Sequence, residues 1–479
     1  MVARICARLK TICVVVAVVV GEEAKQSCWK KMPKTFPAPA EGQSHVDWLD
    51  SLKSWRRSAT ATGYDARVYD EPSLVWTRTS YIQPQIHVYD RLLFDGSWTV
   101  ERYLDDLDDR YGGIDSVLLW PTYTNIGIDN RNQFDYYRAV PGGLAALRNV
   151  TRAFHQRGVR VLLGYNPWDQ ATRDEGPHWI TLAGILQDVG ADGFNGDTME
   201  EIPRQFWQAG IDLGYPIVAE PEGGGYPCPN ASWDTASWTP MGWGYFGSSA
   251  PDNMTMIYDV APGVDKMKWL DPQGRHLTHV CDRWSKNRTA AIQLAFFNGI
   301  GYEPWENIWG LYNALTDRDA ELLRRAATIL RWVGARNITQ GFDSWVPHTP
   351  EILEQTSTRG VFASRFQKGH EVLWVLVNKL EREANVAIEI STSLPKGFSC
   401  FDLVKGVEVS VGLAHKVHLS VEGLGIGAIL LARPGALGLT TLLTSMQKMS
   451  KKPLSEFSSA WTFLPQQMYP MKTIRRFGA

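Results

Sequence analysis

The sequence predicts a (β/α)8 TIM barrel, an α/β fold, followed by a small antiparallel β-sandwich domain. Three observations carry this expectation. Between residues 76 and 340, eight short apolar runs alternate with helical ones, the rhythm of a parallel barrel of about 250 residues. Most of these runs are continuously apolar, as strands covered on both faces are. Past residue 340 the pattern changes to short strands separated by turn residues at regular intervals, which reads as a sandwich.

The elements follow in order. The leader MVARICARLKTICVVVAVVVGEEA (1–24) has a basic start, Arg4, Arg8 and Lys10, and an apolar core too short to span a bilayer. It reads as a secretory signal peptide, leaving no membrane span in the mature chain. Acceptors of the N-x-[ST] kind at Asn149, Asn230, Asn253, Asn287 and Asn337 fit a secreted glycoprotein. Residues 25–75 form a polar linker and a short helical lead-in around Val46–Arg57. Strand one is expected at 80–90, then a helix at 97–113 opened by Ser97 and closed by paired glycines. Strand two (114–120) leads into a long polar loop. A helix at 144–158 carries Leu144, Leu147, Val150 and Phe154 on one face. Strands three (159–169), four (191–199) and five (215–220) follow, separated by helices at 180–190 and 200–214. A Gly-, Pro- and Trp-rich stretch after Glu220 has no periodicity and reads as a long loop. Strand six is expected at 254–260, strand seven at 275–284, strand eight at 300–310, and a closing helix at 317–334. The sandwich takes 341–433, and 434–479 read as a poorly ordered tail with few strand or helix signals.

Composition narrows the function. The 479 residues are 44% hydrophobic and 21% charged, the balance of a globular protein. A net charge of −2 argues against a nucleic-acid partner. Twenty Trp supply potential platforms for the apolar faces of sugars, and equally good core material. Cys6 and Cys13 lie in the leader. Cys28, Cys228, Cys281 and Cys400 remain, in no spacing that suggests zinc. No glycine-rich phosphate loop joins a strand to a helix. No metal and no cofactor are expected.

Chemistry in such a barrel sits at the carboxyl ends of the strands. Asp197 falls where strand four runs out, and Glu220 ends strand five. Two acids on consecutive strands are what glycosidic bond cleavage requires. Around them stand Trp120 and Tyr123 from strand two, Asn166, Trp168 and Asp169 from strand three, and Glu222 from strand five. Strand seven adds Asp282, Arg283 and Trp284, and strand eight adds Glu303, Trp305 and Glu306. Carboxylates accept bonds from hydroxyls and rings stack on C–H faces, so this set suits a carbohydrate or glycoconjugate. Helix capping by Asp197 and core packing by the tryptophans are the competing structural roles.

The progression GVRVLLGYNPWD, ADGFNGDTM, YPIVAE resembles strands three to five of α-amylase-type and α-galactosidase-type glycoside hydrolases. The resemblance covers about 60–433 with the trailing sandwich, and implies Asp197 as nucleophile. The amylase type implies Glu220 as acid/base. The α-galactosidase type places an acid/base Asp later, and Asp282 is the nearest counterpart. Two features depart from the amylase pattern: Asn195 stands where that pattern has Arg, and no His-Asp pair follows strand seven. PLSEFSSAWTFLPQQM (453–468) resembles lead-ins found where such barrels are fused to a sulfatase-modifying-factor domain. The sequence thus points to a secreted retaining glycoside hydrolase with Asp197 as nucleophile and Glu220 as acid/base. A non-catalytic carbohydrate-binding protein on a degenerate barrel is the alternative, and a metal-requiring isomerase a third.

Overall fold

The computed structural model describes residues 35–61, 64, 66–121, 129–169, 176–199, 202–222, 241–245, 261–281, 288–307, 315–353, 360–390, 394–412 and 415–460. The leader and the run expected as strand six, 254–260, lie outside the described residues.

A lead-in helix, α1 (His45–Thr60), is capped by Ser44 and buries Trp48 and Leu52. The β/α alternation then begins with β1 (Gln85–His87) and α2 (Val100–Tyr111). After β2 (Ser116–Trp120) come α3 (Gln133–Arg138) and α4 (Gly143–Gln156). The long loop expected here thus holds a short helix, α3, fixed by a capping box between Asn132 and Asp135. In α4 the spacing of Leu147, Val150 and Phe154 is borne out, for all three are buried. β3 (Arg160–Tyr165), α5 (His178–Val189), β4 (Gly193–Gly196), α6 (Arg204–Asp212) and β5 (Val218–Pro221) continue the pattern.

Next comes β6 (Met241–Tyr245), within the glycine- and tryptophan-rich stretch expected to be loop. Its sequence, MGWGY, has glycine at alternate positions and so lacks the continuous apolar signature of a buried strand. The short helix α7 (Lys266–Leu270), β7 (Leu277–Cys281) and α8 (Thr289–Asn298) follow. The eighth strand is broken at Pro304 into β8a (Gly301–Glu303) and β8b (Trp305–Asn307), and α9 (Asp317–Ala335) closes the series.

Parallel ladders join β1 to β2, β2 to β3, β3 to β4 and β4 to β5. β6 pairs with β7, β7 with β8a, and β8b returns to β1. Strand order therefore follows chain order, and the eighth strand meets the first. Among the described residues, β5 and β6 lie side by side without a ladder.

The C-terminal strands are β9 (Ser344–Pro347), β10 (Ile352–Leu353), β11 (Val361–Lys368), β12 (Glu371–Asn378), β13 (Ala384–Glu389), β14 (Ser399–Asp402), β15 (Val407–Val409), β16 (Lys416–Val421) and β17 (Ile426–Ala432). They form a six-stranded sheet ordered β9-β11-β12-β17-β14-β15 and a three-stranded sheet β10-β13-β16, all antiparallel. Trp374 and Leu376 of β12 pack between the two sheets, while Leu373, Val375 and Val377 join the barrel's own core. Both faces of β12 are covered, which explains its unbroken apolar run. The helix on the other side, α8, is buried all round, because barrel and sheet enclose it.

The tail expected to be poorly ordered is helical over α10 (Leu439–Ser450), which buries Leu439, Leu442 and Met446. The helix escapes notice because it is polar outside one narrow apolar stripe. Residues 461–479 lie outside the described residues.

Candidate functional site

Alternation along β4 and β5 decides which side chains enter the barrel. The Phe194 ring packs on Tyr165 and Phe206, on the helix side. Asn195 and Asp197 therefore point inward. Asn195 pairs in register with Glu220. The ladder then continues one step, with the Glu222 amide donating to the Gly196 carbonyl at 3.2 Å. So Asn195 and Glu220 are register partners with inward side chains, and Asp197 and Glu222 are the next such pair, at the carboxyl mouth.

Glu220 is accordingly not at the mouth. It has no exposed surface. Gln83 Nε2 donates to its Oε2 at 2.7 Å, and His279 Nδ1 lies 2.9 Å from its Oε1. Ser116 Oγ donates to Gln83 Oε1 at 2.7 Å. Glu303, also fully buried, faces Gln83 Nε2 at 3.5 Å. These residues come from strands one, two, five, seven and eight, and only the barrel interior lets them meet. The expected sharing of one open hollow by Asp197 and Glu220 is corrected on this point. A strand's period of two carries the mouth position from Glu220 to Glu222.

Glu222 is half-buried, and its Oε2 accepts the Thr198 amide at 2.6 Å. Thr198 holds φ at 58°. A β-branched residue seldom takes this left-handed conformation, and strain of this kind clusters at functional sites. It turns the chain sharply beside Asp197, which is itself buried.

The remaining residues divide. After β3, Asn166 and Asp169 are buried, and Gln133 of α3 fastens this loop by donating to the Asn166 carbonyl at 2.5 Å and the Asp169 carbonyl at 3.3 Å. Asp169 Oδ2 has no hydrogen-bond partner, and burial pushes its carboxyl up. Trp168 is 49% exposed, an open aromatic face at the mouth. Trp120 is fully buried inside the barrel; a Cβ on Gly164 would come within 2.4 Å of its ring. It is an interior plug, not a platform. Trp305 is buried on β8b. Glu306 points outward to α2, where Arg110 grips it in two bonds of 3.0 and 2.9 Å and Tyr111 Oη donates at 2.6 Å. It anchors a helix to the barrel wall, which corrects its expected place in the site. Tyr123, Asp282, Arg283 and Trp284 lie outside the described residues.

Four interior polar groups went unnoticed in the sequence: Gln83, Gln85, His87 and His279. The signal was there, since Gln83, Gln85 and His87 occupy alternate positions of a run otherwise destined for burial. Gln85 and His87 are buried as well. Glu220, His279 and Glu303 also each present a ligand-type atom within 4.8 Å of the others. Sequence spacing gave no hint of this set, because its members stand on three separate strands.

No protein-family model matches the chain, and no curated protein does. Solved structures do. The structure of AmyP in complex with maltose aligns at a TM-score of 0.50 and 13% identity, covering 78% of this chain and all of that one. An α-amylase from Geobacillus thermoleovorans complexed with acarbose gives 0.49 and 13%, with 75% and 99% covered. A GH27 β-L-arabinopyranosidase from Geobacillus stearothermophilus gives 0.46 and 12%, with 76% and 99% covered. At such identities the likeness is one of fold alone.

Proposed function

We propose that the protein is a glycoside hydrolase in which Asp197 is the nucleophile and Glu222 the general acid/base. The observation that carries this is the register pairing of Asp197 with Glu222 at the mouth ends of neighbouring parallel strands. Adjacent strands lie about 4.8 Å apart, close to the roughly 5–5.5 Å that separates the carboxyl groups of retaining enzymes. Retention through a covalent glycosyl-enzyme is therefore the expected course. Asp197 attacks the anomeric carbon while the Glu222 carboxyl gives its proton to the leaving oxygen. Glu222 then takes a proton from the water that releases the sugar. Trp168 offers its open face to a sugar ring. The fold-level likeness to a maltose-bound amylase supports a carbohydrate substrate.

The test is turnover on a panel of aryl glycosides, headed by α-glucosides. Asp197→Asn should abolish hydrolysis with the fold intact by circular dichroism. Glu222→Gln should slow substrates with poor leaving groups by about 10²–10⁴-fold and activated ones far less. Hydrolysis by Asp197→Asn at the wild-type rate sinks the proposal. Glycan binding with no hydrolysis of any bound glycan selects a non-catalytic binding protein instead.

A further inference from the structure

Beneath the mouth, the barrel interior holds a second cluster that the hydrolase chemistry leaves unused. We propose that Glu220, His279 and Glu303 form a binding site for one divalent transition-metal ion of the zinc type. One ligand atom from each residue lies within 4.8 Å of the others, and all three side chains are buried.

The orientation of His279 carries the argument furthest. Its Nε2 lies 2.8 Å from the Ser80 carbonyl oxygen, which can only accept. Nε2 therefore carries a ring hydrogen, and Nδ1 faces Glu220 Oε1 at 2.9 Å, across either a shared proton or a metal ion. Two lone pairs at that separation repel unless a proton or a metal ion stands between them. A metal-ligating histidine characteristically donates its other ring N–H to a carbonyl or carboxylate, which fixes the ring. His279 is held in that way before any ion arrives. Glu220 has no exposed surface, and Gln83 and His279 are its partners. Among the described residues no arginine or lysine bonds it, so a proton on His279 or a bound cation must offset its charge, since a lone buried carboxylate is costly.

A second observation points into the same space. Asn195 is fully buried, and neither its Oδ1 nor its Nδ2 has a hydrogen-bond partner. It pairs in register with Glu220, so its amide stands on the same inner face beside the cluster. An amide oxygen there can complete the coordination of the ion or hold a water bound to it. One imidazole, two carboxylates and a fourth oxygen make a tetrahedral set suited to zinc. The neighbouring backbone leaves room for the ring and little else: a Cβ on Gly301 would meet His279 Cδ2 at 2.5 Å. The ion closes an interior cross-brace between strands five, seven and eight, and so spans the seam where β5 and β6, among the described residues, share no ladder.

The experiment is metal analysis of the full-length protein, equilibrated with zinc chloride and then desalted. The expected result is about one zinc per chain, lost in Glu303→Gln and in His279→Gln and kept in Asp197→Asn. A strong chelator should lower the melting temperature of the wild type and leave that of Glu303→Gln unchanged. An anomalous difference map of wild-type crystals at the zinc edge should place one peak between the three residues. That map answers even where a variant fails to fold. No zinc on the wild type, equal zinc on Glu303→Gln, or a peak elsewhere overturns the site and leaves a shared proton between His279 and Glu220. The readout needs no substrate, so it stands or falls apart from the hydrolase proposal.

Discussion

Single residues decide what the barrel can do, and the sharpest case is Glu220 against Glu222. They differ by one strand period, yet one is sealed in the interior and the other opens on the mouth. Trp120 shows the same logic for packing. It fills the interior only because β3 presents no side chain at Gly164, where a Cβ would lie 2.4–2.9 Å from three ring atoms. Gly164→Ala must therefore push the indole or bend the strand. Overpacking of this kind costs about 1–3 kcal/mol, and urea unfolding should show the loss together with a changed tryptophan emission. Unaltered stability would mean that the ring has room to move and is not the plug described. Glu306 provides a contrasting case. Arg110 and Tyr111 satisfy it so fully that it is a fastener of α2, and removing its charge should weaken the fold rather than substrate binding.

Elements were legible where their apolar pattern was uniform. β2, β3 and α4 have buried faces that match their spacing, and each stands within a few residues of its expected place. The site was legible only in part. Asp197 sits at a strand end that its sequence announces, but the register that separates Glu220 from Glu222 is a tertiary fact, set by pairing with β4. β6 escaped notice because alternate glycines erase its apolar run, and α10 because its stripe is thin. The strength of α10 lies instead in how it is tied. Arg325 of α9 bonds Glu321 at 2.8 Å and Glu422 at 3.1 Å, and it reaches the carbonyls of Met449 and Lys452 at 2.9 and 2.6 Å. Glu422 in turn accepts the Leu454 amide at 2.6 Å. One buried guanidinium thus joins barrel helix, sandwich and tail. Arg325→Leu leaves both carboxylates without it, a loss of about 3–5 kcal/mol for a broken buried pair. Hydrogen exchange over 439–457 should rise at least as far as it does anywhere in the barrel. Protection equal to wild type there would show that the apolar stripe alone holds the helix.

The whole molecule is joined where the lead-in helix, the barrel and the sandwich meet, and His348 stands at that junction. Its ring lies 5.7 Å from Trp48 of α1, 4.8 Å from Phe297 of α8 and 5.9 Å from Phe362 of β11. Its Nε2 donates to the Pro262 carbonyl at 2.8 Å. Burial is the largest influence on it and lowers its pKa from 6.5 to about 4; the bond to Pro262 works the other way, and nearby His45 adds to the lowering. The folded protein thus keeps this ring neutral under conditions where the unfolded chain protonates it. The resulting stability is present above pH 6.5 and drains away as pH falls towards 4. Its size is about 3 kcal/mol, from 1.36 kcal/mol for each unit of displacement. His348 also holds φ at 50°, a conformation that asparagine tolerates. His348→Asn therefore removes the titration without forcing the backbone. Denaturant unfolding of both proteins between pH 7 and pH 4 should show the wild type losing about 3 kcal/mol more than the variant. Parallel stability curves would mean that water reaches the ring and that the three bodies are less tightly closed around it than their contacts indicate.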